Sequence, residues 1–225
     1  MQLKPIKLTP TDKIILDSYK RSLEGLGEFL GAGVEIVLHS LESFDKSAVM
    51  IVNGYHSGRG LGSPITDLAL NILLKYREDE ETRKEAFTYF NRNKTGEMLK
   101  SVTILIRGEN ARIIGLLCMN YYLSISLQDF LSEFLPNDKT RQTNREMETF
   151  AQSSNELVQN TTNKIREEVL KNQNISTSQK NKEIIRGLYR SGIFNLKDSV
   201  DDVTNLLGIS KSTTYLHLRN IKSEA

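Results

Sequence analysis

The sequence has little of what specialised chemistry usually needs. One cysteine in 225 residues excludes an intramolecular disulfide framework and a cysteine-based zinc cluster. The three histidines, His39, His56 and His217, are scattered without metal-ligand spacing, so no metal site is expected. No apolar run approaches the roughly 20 residues of a membrane span. The opening MQLKPIKLTP has no apolar core for a signal peptide. These absences lead to the expectation of a reduced, cytoplasmic protein without a membrane partner. Nucleophile–base motifs and paired carboxylates in a catalytic context are missing too. No enzyme activity, catalytic residue or cofactor is therefore expected.

What is present suits a soluble globular chain. The charged fraction is 26%, with no sign of wholesale disorder. The length allows one large domain or two small ones, and it can bury roughly 70% of the unfolded surface. A net charge of +2 says little until it is divided along the chain. Residues 1–135 carry 16 basic and 17 acidic side chains, 136–178 carry 6 of each, and 179–225 carry 8 basic and 5 acidic. The basic excess therefore lies at the C-terminus, and it is small.

Residues 1–135 read as α+β. Thr9, Pro10 and Asp12 form a helix start, and Ile15, Tyr19, Leu23, Leu26 and Leu30 keep helical spacing behind it. That stripe faces a core or a partner. Val34–Leu41 and Ala48–Asn53 have strand composition and suit a hairpin. The stretch Gly58-Arg59-Gly60-Leu61-Gly62-Ser63-Pro64 follows, with Ser63 as the natural cap of a helix over 65–77. Residues 78–85 are highly charged and read as a solvated helix or loop. Ala86–Arg92, Met98–Arg107 and Arg112–Leu123 read as an antiparallel meander, and Ser126 caps a closing helix through Leu135. These are the parts of a PAS-type sensor domain. Pro136-Asn137-Asp138 breaks it. The polar residues 136–178 read as a linker, partly helical through Leu157, Val158, Ile165, Val169 and Leu170, and then a flexible joint.

Residues 179–225 carry the strongest functional signal. Ile184, Ile185, Leu188 and Tyr189 give one helix, stopped by Gly192. A second opens at Asp198–Val200 with Val203, Leu206 and Leu207 apolar. Gly208 supplies the turn, Ile209 an apolar plug and Ser210 the cap of a third helix. This is the helix-turn-helix pattern. Its N-terminal amides favour a phosphate. Ser210, Lys211, Ser212, Thr213, Tyr215, Arg219 and Lys222 are the candidate DNA contacts. No acidic residue occurs from Val203 to Lys222, which leaves a positive face for the DNA backbone. Leu216 lies on or near that side. Thr204 and Thr214 depart from the pattern, because Ala and Val or Ile are usual there. A plain helical hairpin with a basic face is the alternative.

Three segments of the first part, EIVLHSL (35–41), NGYHSGRGLGSPITDLALNIL (53–73) and KSVTILIRGENARIIGLLCMN (100–120), resemble the YheO-like, or DauR-like, family of bacterial transcriptional regulators. The C-terminal residues 178–222 resemble the DNA-binding half of the same family. The stretch 53–73 is the most specific. The resemblance covers nearly all of the chain except the linker. It implies an N-terminal PAS-like domain, an antiparallel sheet with helices, followed by a linker helix and an all-α helix-turn-helix domain. The implied role is transcriptional control with the PAS-like part as sensor.

The glycine loop 58–62 offers backbone amides to an anion, and Arg59 offers a bidentate clamp for a carboxylate. A tight connection that uses glycine for backbone angles explains the same residues. No Gly-Lys-Ser/Thr follows, so it is not a Walker loop. Asn53, His56, Ser57, Arg59, Ser63, Thr66 and Asp67 are candidate ligand contacts around it. Thr103 and Asn120 join them if they point inward from the meander. No ligand is identified. Haem ligation by His39 or His56 is less expected than an ordinary polar role, and Cys118 is expected as a small buried residue, not a reactive thiol.

The first functional reading is a sequence-specific regulator of double-stranded DNA whose PAS-like domain senses a small molecule or mediates dimerisation. One helix-turn-helix with a small basic excess binds weakly, so a homodimer or higher homo-oligomer is expected. The first helix and the linker helix are candidate dimer elements. The alternative is a protein-interaction adaptor with a helical docking module.

Overall fold

The N-terminal helix begins where side chains satisfy its free amides. Thr9 Oγ1 accepts the Asp12 N–H at 3.2 Å, and Asp12 accepts the Thr9 N–H at 2.8 Å. Pro10 sits at the first helical position of α1 (Pro10–Leu30). Leu16 and Leu23 are buried along one side of α1, with Ile15, Tyr19, Leu26 and Leu30 packed at its edges. The apolar stripe is thus spent on a core of the same chain. This computed structural model describes residues 3–78, 84–135 and 150–224. It divides into two compact units, Met1–Arg141 and Gln142–Ala225.

The first unit is an antiparallel five-stranded sheet in the order β2-β1-β5-β4-β3, a PAS-like arrangement. Its strands are β1 (Val34–Ser40), β2 (Ala48–Val52), β3 (Ala86–Arg92), β4 (Met98–Arg107) and β5 (Ile113–Tyr122). The meander β3–β4–β5 forms as its turn residues dictate, and β1 then pairs along β5 with Val37 opposite Cys118. Both faces are covered. Ile36, Leu38, Ile106, Ile114 and Leu117 meet α1. Val37, Leu105, Leu116 and Cys118 meet α2 (Asp67–Glu78) through Ala69, Ile72 and Leu73. Double coverage explains why apolar residues occur on both faces of these strands.

The second helix starts later than expected. Ser63 and Pro64 do not open it. The Ser63 hydroxyl accepts the Gly60 N–H at 3.0 Å, and the Ile65 N–H is held by the Phe44 carbonyl at 2.9 Å. Thr66 caps instead, accepting the Ala69 N–H at 3.2 Å. A closing helix, α3 (Leu127–Phe134), starts at a Ser126 cap as expected. Most of the charged segment 78–85, the break at Pro136-Asn137-Asp138 and the first part of the polar stretch lie outside the described residues.

The second unit is helical: α4 (Ser154–Lys171), α5 (Lys180–Arg190), α6 (Ser199–Leu207) and α7 (Lys211–Ser223). The helix read as part of the linker is α4, and it packs into this unit. Val158 is buried with Ile184, Leu188, Ile193 and Val203. Gly187 lets α5 approach it, since a Cβ there would lie 2.8 Å from Ile165 Cγ2. A polar helix with a thin apolar stripe reads as a spacer, yet two or three well-placed aliphatic residues are enough to dock it.

Candidate nucleic-acid interface and sensor face

The turn between α6 and α7 is built from three residues, Gly208, Ile209 and Ser210. Gly208 ends α6 in the left-handed region at φ 64°, a conformation that penalises a Cβ. The Ile209 N–H returns to the Thr204 carbonyl at 3.2 Å. Ser210 Oγ accepts the Thr213 N–H at 3.0 Å, so the Ser210 side chain is used as a cap. Val203 and Thr204 on α6 and Thr214, Leu218 and Ile221 on α7 are buried. This is helix-turn-helix geometry, with α7 in the recognition position.

The two departures from the usual pattern explain each other. Thr204 Oγ1 and Thr214 Oγ1 lie 3.1 Å apart in a hydrogen bond at the buried crossing of α6 and α7. Thr214 also donates to the Ser210 carbonyl at 3.3 Å. With the Thr214 proton on the Ser210 carbonyl, Thr204 donates to Thr214 Oγ1, so an apolar residue at 214 would leave the buried Thr204 hydroxyl without its acceptor. Thr214→Val alone is expected to cost about 1–2 kcal/mol, and Thr204→Val with Thr214→Val less than the sum of the two single losses. Urea denaturation of the two single variants and the double variant checks this. Additive losses would mean that the hydroxyl pair contributes nothing.

The outer face of α7 presents Lys211, Ser212, Tyr215, Arg219 and Lys222 to solvent, with Thr213 half-buried beside them. Leu216 is exposed on the same side. The candidates are therefore brought together on one surface, but they are not equivalent. Lys211 Nζ lies 2.5 Å from Asp201 Oδ1, an ion pair without hydrogen-bond alignment. No described carboxylate lies within ion-pair distance of Arg219 or Lys222.

In the first unit the face beneath α2 carries a line of polar groups, of which Glu35, Ser101 and Thr103 are buried. Glu35, 1% exposed, accepts hydrogen bonds from the Ser57 hydroxyl and from Asn120 Nδ2 at 3.0 Å. Asn120 Oδ1 accepts from Ser101 Oγ at 2.8 Å. Thr103 Oγ1 lies 3.0 Å from the Tyr89 hydroxyl and 3.6 Å from Cys118 Sγ. Ser57, Thr103 and Asn120 thus share this inner face. Sequence reasoning missed Glu35, Ser101 and Tyr89. The available signal was the one carboxylate in the strand VEIVLHS. His39 is buried as well, with Nδ1 2.8 Å from Ser47 Oγ and Nε2 unpartnered among the described residues. Burial, and then the nearby Arg59 cation, lower its pKa to about 4, so the ring is neutral at physiological pH. Burial raises the Cys118 thiol, which disfavours the reactive thiolate.

The other candidates serve the backbone. Asn53 donates to the Gly31 and Val34 carbonyls at 3.1 and 2.7 Å. His56 Nε2 lies 2.6 Å from the Ala32 carbonyl, and its ring stacks on Tyr122 at 4.1 Å. Arg59 donates to the Pro64 carbonyl at 2.6 Å. Asp67 accepts the Leu68 N–H at 2.8 Å, so it supports the first turn of α2. Three of the five amides of the loop 58–62 are engaged: Arg59 with Ser57 Oγ, Gly60 with Ser63 Oγ and Gly62 with the Ala48 carbonyl. These bonds tie the glycine stretch to its own neighbours.

A PAS-like sheet domain followed by a helix-turn-helix defines a DNA-binding regulator of the PAS-containing class. The YheO-like PAS domain pattern matches residues 9–136, and an HTH domain pattern matches residues 161–219. The second match begins inside α4, in line with its packing. YheO of Escherichia coli K12 is 42% identical over 213 residues, spanning 95% of this chain and 87% of its own length. A Haemophilus influenzae protein is 41% identical over 216 residues, spanning 96% and 95%. The transcriptional regulator DauR of Pseudomonas aeruginosa is 24% identical over 217 residues, spanning 96% and 98%. The chain belongs to the YheO-like family. No described helix is long and apolar enough to cross a membrane.

Proposed function

We propose that this protein is a sequence-specific transcriptional regulator of double-stranded DNA. The observation that carries the reading is the exposed face of α7, cationic and held by a helix-turn-helix whose cap and turn are fully formed. DauR is described as a transcriptional regulator, and the proposal extends that role here. Ser212, Thr213 and Tyr215 read base edges, Arg219 reads a base or grips a phosphate, and the Ser210 cap directs the first amides of α7 to the backbone. Lys211 must exchange Asp201 for a phosphate. The protein acts in the cytoplasm.

The PAS-like domain is the sensor in this reading. The line of hydrogen-bonded polar groups from the exposed Ser57 through Glu35 and Asn120 to Ser101, with Thr103 beside it, supports a small-molecule site on that face. Its neighbours Asn53, His56, Arg59, Ser63, Thr66 and Asp67 shape the wall. The regulator is a homodimer, because one helix-turn-helix with a small basic excess is a weak binder. The α1 stripe is occupied within the chain. The exposed apolar residues Leu127, Leu131, Phe134 and Leu135 of the α3 region are better candidates for the subunit contact.

Arg219→Ala is expected to weaken binding to a promoter fragment roughly tenfold and to reduce its salt dependence. Fluorescence anisotropy across a salt series measures both. Undiminished affinity would remove Arg219 from the interface. Failure to select any duplex from a random oligonucleotide pool would favour the adaptor reading.

A further inference from the structure

Five of the eleven described basic side chains of the second unit, Lys171, Lys182, Arg186, Lys197 and Lys211, lie within ion-pair distance of a described carboxylate. Lys182 and Arg186 share Glu224 at 3.0 and 2.6 Å, and Arg186 also meets Glu183. Lys211 has Asp201, and Lys171 has Glu167 at 3.5 Å. Arg190, Arg219 and Lys222 have no described carboxylate within ion-pair distance. All three line one cleft of about 750 Å³ between the end of α5 and the flank of α7. Tyr215, Arg219 and Lys222 stand at i, i+4 and i+7 on α7, which places them in one stripe. Arg190 faces that stripe from α5, and Asn195 and Tyr189 add neutral hydrogen-bonding groups. No described carboxylate lines the cleft, while Phe194, Val200 and Leu218 form part of an apolar wall.

Three cations in one cleft repel each other unless an anion sits among them, and an apolar wall strengthens both effects. The C-terminus of α5 favours a cation at Arg190 through the helix dipole. A guanidinium with amide and phenol neighbours matches a phosphodiester, which accepts from all of them. We infer that this cleft seats the sugar-phosphate backbone of DNA beside the recognition helix, with Arg190 as an ion-pairing contact outside that helix. The inference rests on the DNA-binding reading above and adds a second, sequence-independent grip. Arg190 projects from a scaffold helix, so it clamps the backbone flanking the bases that α7 reads. It orients α7 in the groove without choosing among base pairs.

The test uses the full chain and a labelled mixed-sequence duplex about three helical turns long, titrated across a salt series. Arg190→Ala is expected to lower affinity roughly three- to tenfold at low salt, and to reduce the slope of log affinity against log salt by about one. Arg190→Lys keeps the slope. Lys171→Ala, an exposed cation on α4, keeps both affinity and slope. Matching thermal unfolding of each variant and wild type shows that the exposed substitutions leave the fold intact. Wild-type affinity and slope in Arg190→Ala would overturn the cleft and leave the role of Arg219 standing. An equal loss in Lys171→Ala, or a loss with no change in slope, would also overturn it. Failure of the wild-type protein to bind any duplex would overturn the DNA-binding reading itself.

Discussion

Replacing Asp12 by alanine is expected to lower the stability of the N-terminal unit by about 3 kcal/mol, because three donors lose their acceptor together. Asp12 is fully buried at the start of α1. It accepts the Thr9 N–H at 2.8 Å, the Glu109 N–H at 2.8 Å and a bond from the Arg112 guanidinium. It therefore ties the first helix to the β4–β5 turn, far away in sequence. Asparagine is not a rescue, since its NH₂ would face donors. Burial by itself would raise the carboxyl, but the Thr9 and Glu109 amides and Arg112 outweigh it and hold the pKa at about 2, below the ordinary 3.8. A depressed pKa makes this stabilisation complete above the unfolded value and lost as pH falls from 3.8 towards 2. His39 acts in an earlier window. Its folded pKa near 4 lies below the unfolded 6.5, so its contribution fades as pH falls between those values. Urea denaturation from pH 7 to pH 3 is expected to show a decline that begins with His39. His39→Met should flatten the upper window, and a wild-type profile flat to pH 4 would refute the assignment.

Gly115→Val is expected to disrupt the sheet by about 3 kcal/mol or more. A Cβ at this position in β5 would stand 2.5 Å from the His39 carbonyl oxygen and 2.9 Å from Leu16 Cδ2. The first neighbour is backbone of a paired strand and cannot step aside without breaking the ladder. Gly25 is the contrast. It sits inside α1, and a Cβ added there would meet nothing within 4 Å. Gly25→Ala should stabilise the unit by about 1 kcal/mol through helix propensity. Thermal and urea unfolding of both variants measures the opposite signs. A tolerated Gly115→Val would mean that β1 and β5 separate more easily than their register implies.

The helix-turn-helix was legible because every part of it is local. Gly208, Ile209 and Ser210 are consecutive, and their roles depend on backbone angle, size and capping within one turn. The meander was legible for the same reason: β3 and β4 have the limits that composition and turn residues indicate. The start of α2 was not, because two hydroxyls compete as caps and a distant carbonyl, that of Phe44, settles the choice. The place of α4 was hidden by its polarity. Its few aliphatic residues matter only against Ile184, Leu188 and Val203, which the sequence sets far downstream.

The candidate sites divide in the same way. The basic face of α7 follows from helical periodicity alone. The ligand candidates around the glycine loop were plausible by residue type, but a donor's partner is a matter of three dimensions. Asn53, Arg59 and Ser63 turn out to serve neighbouring backbone, whereas Ser57 and Asn120 converge on Glu35. Thr204 and Thr214 looked like two separate weaknesses in the sequence, and the crossing of α6 and α7 makes them one hydrogen bond.

By itself the sequence determined the α+β composition, the helix-turn-helix and the segregation of positive charge to the C-terminal part. Only the tertiary structure decided that β1 lies against β5, that Asp12 reaches Glu109 and Arg112, and that Arg190 shares a cleft with Arg219 and Lys222. The physical reason is range. Periodicity, caps and turns act over a few residues and are written locally. Strand pairing, buried polar satisfaction and the convergence of charge depend on which distant segments meet, and packing of both sheet faces and of four helices sets that.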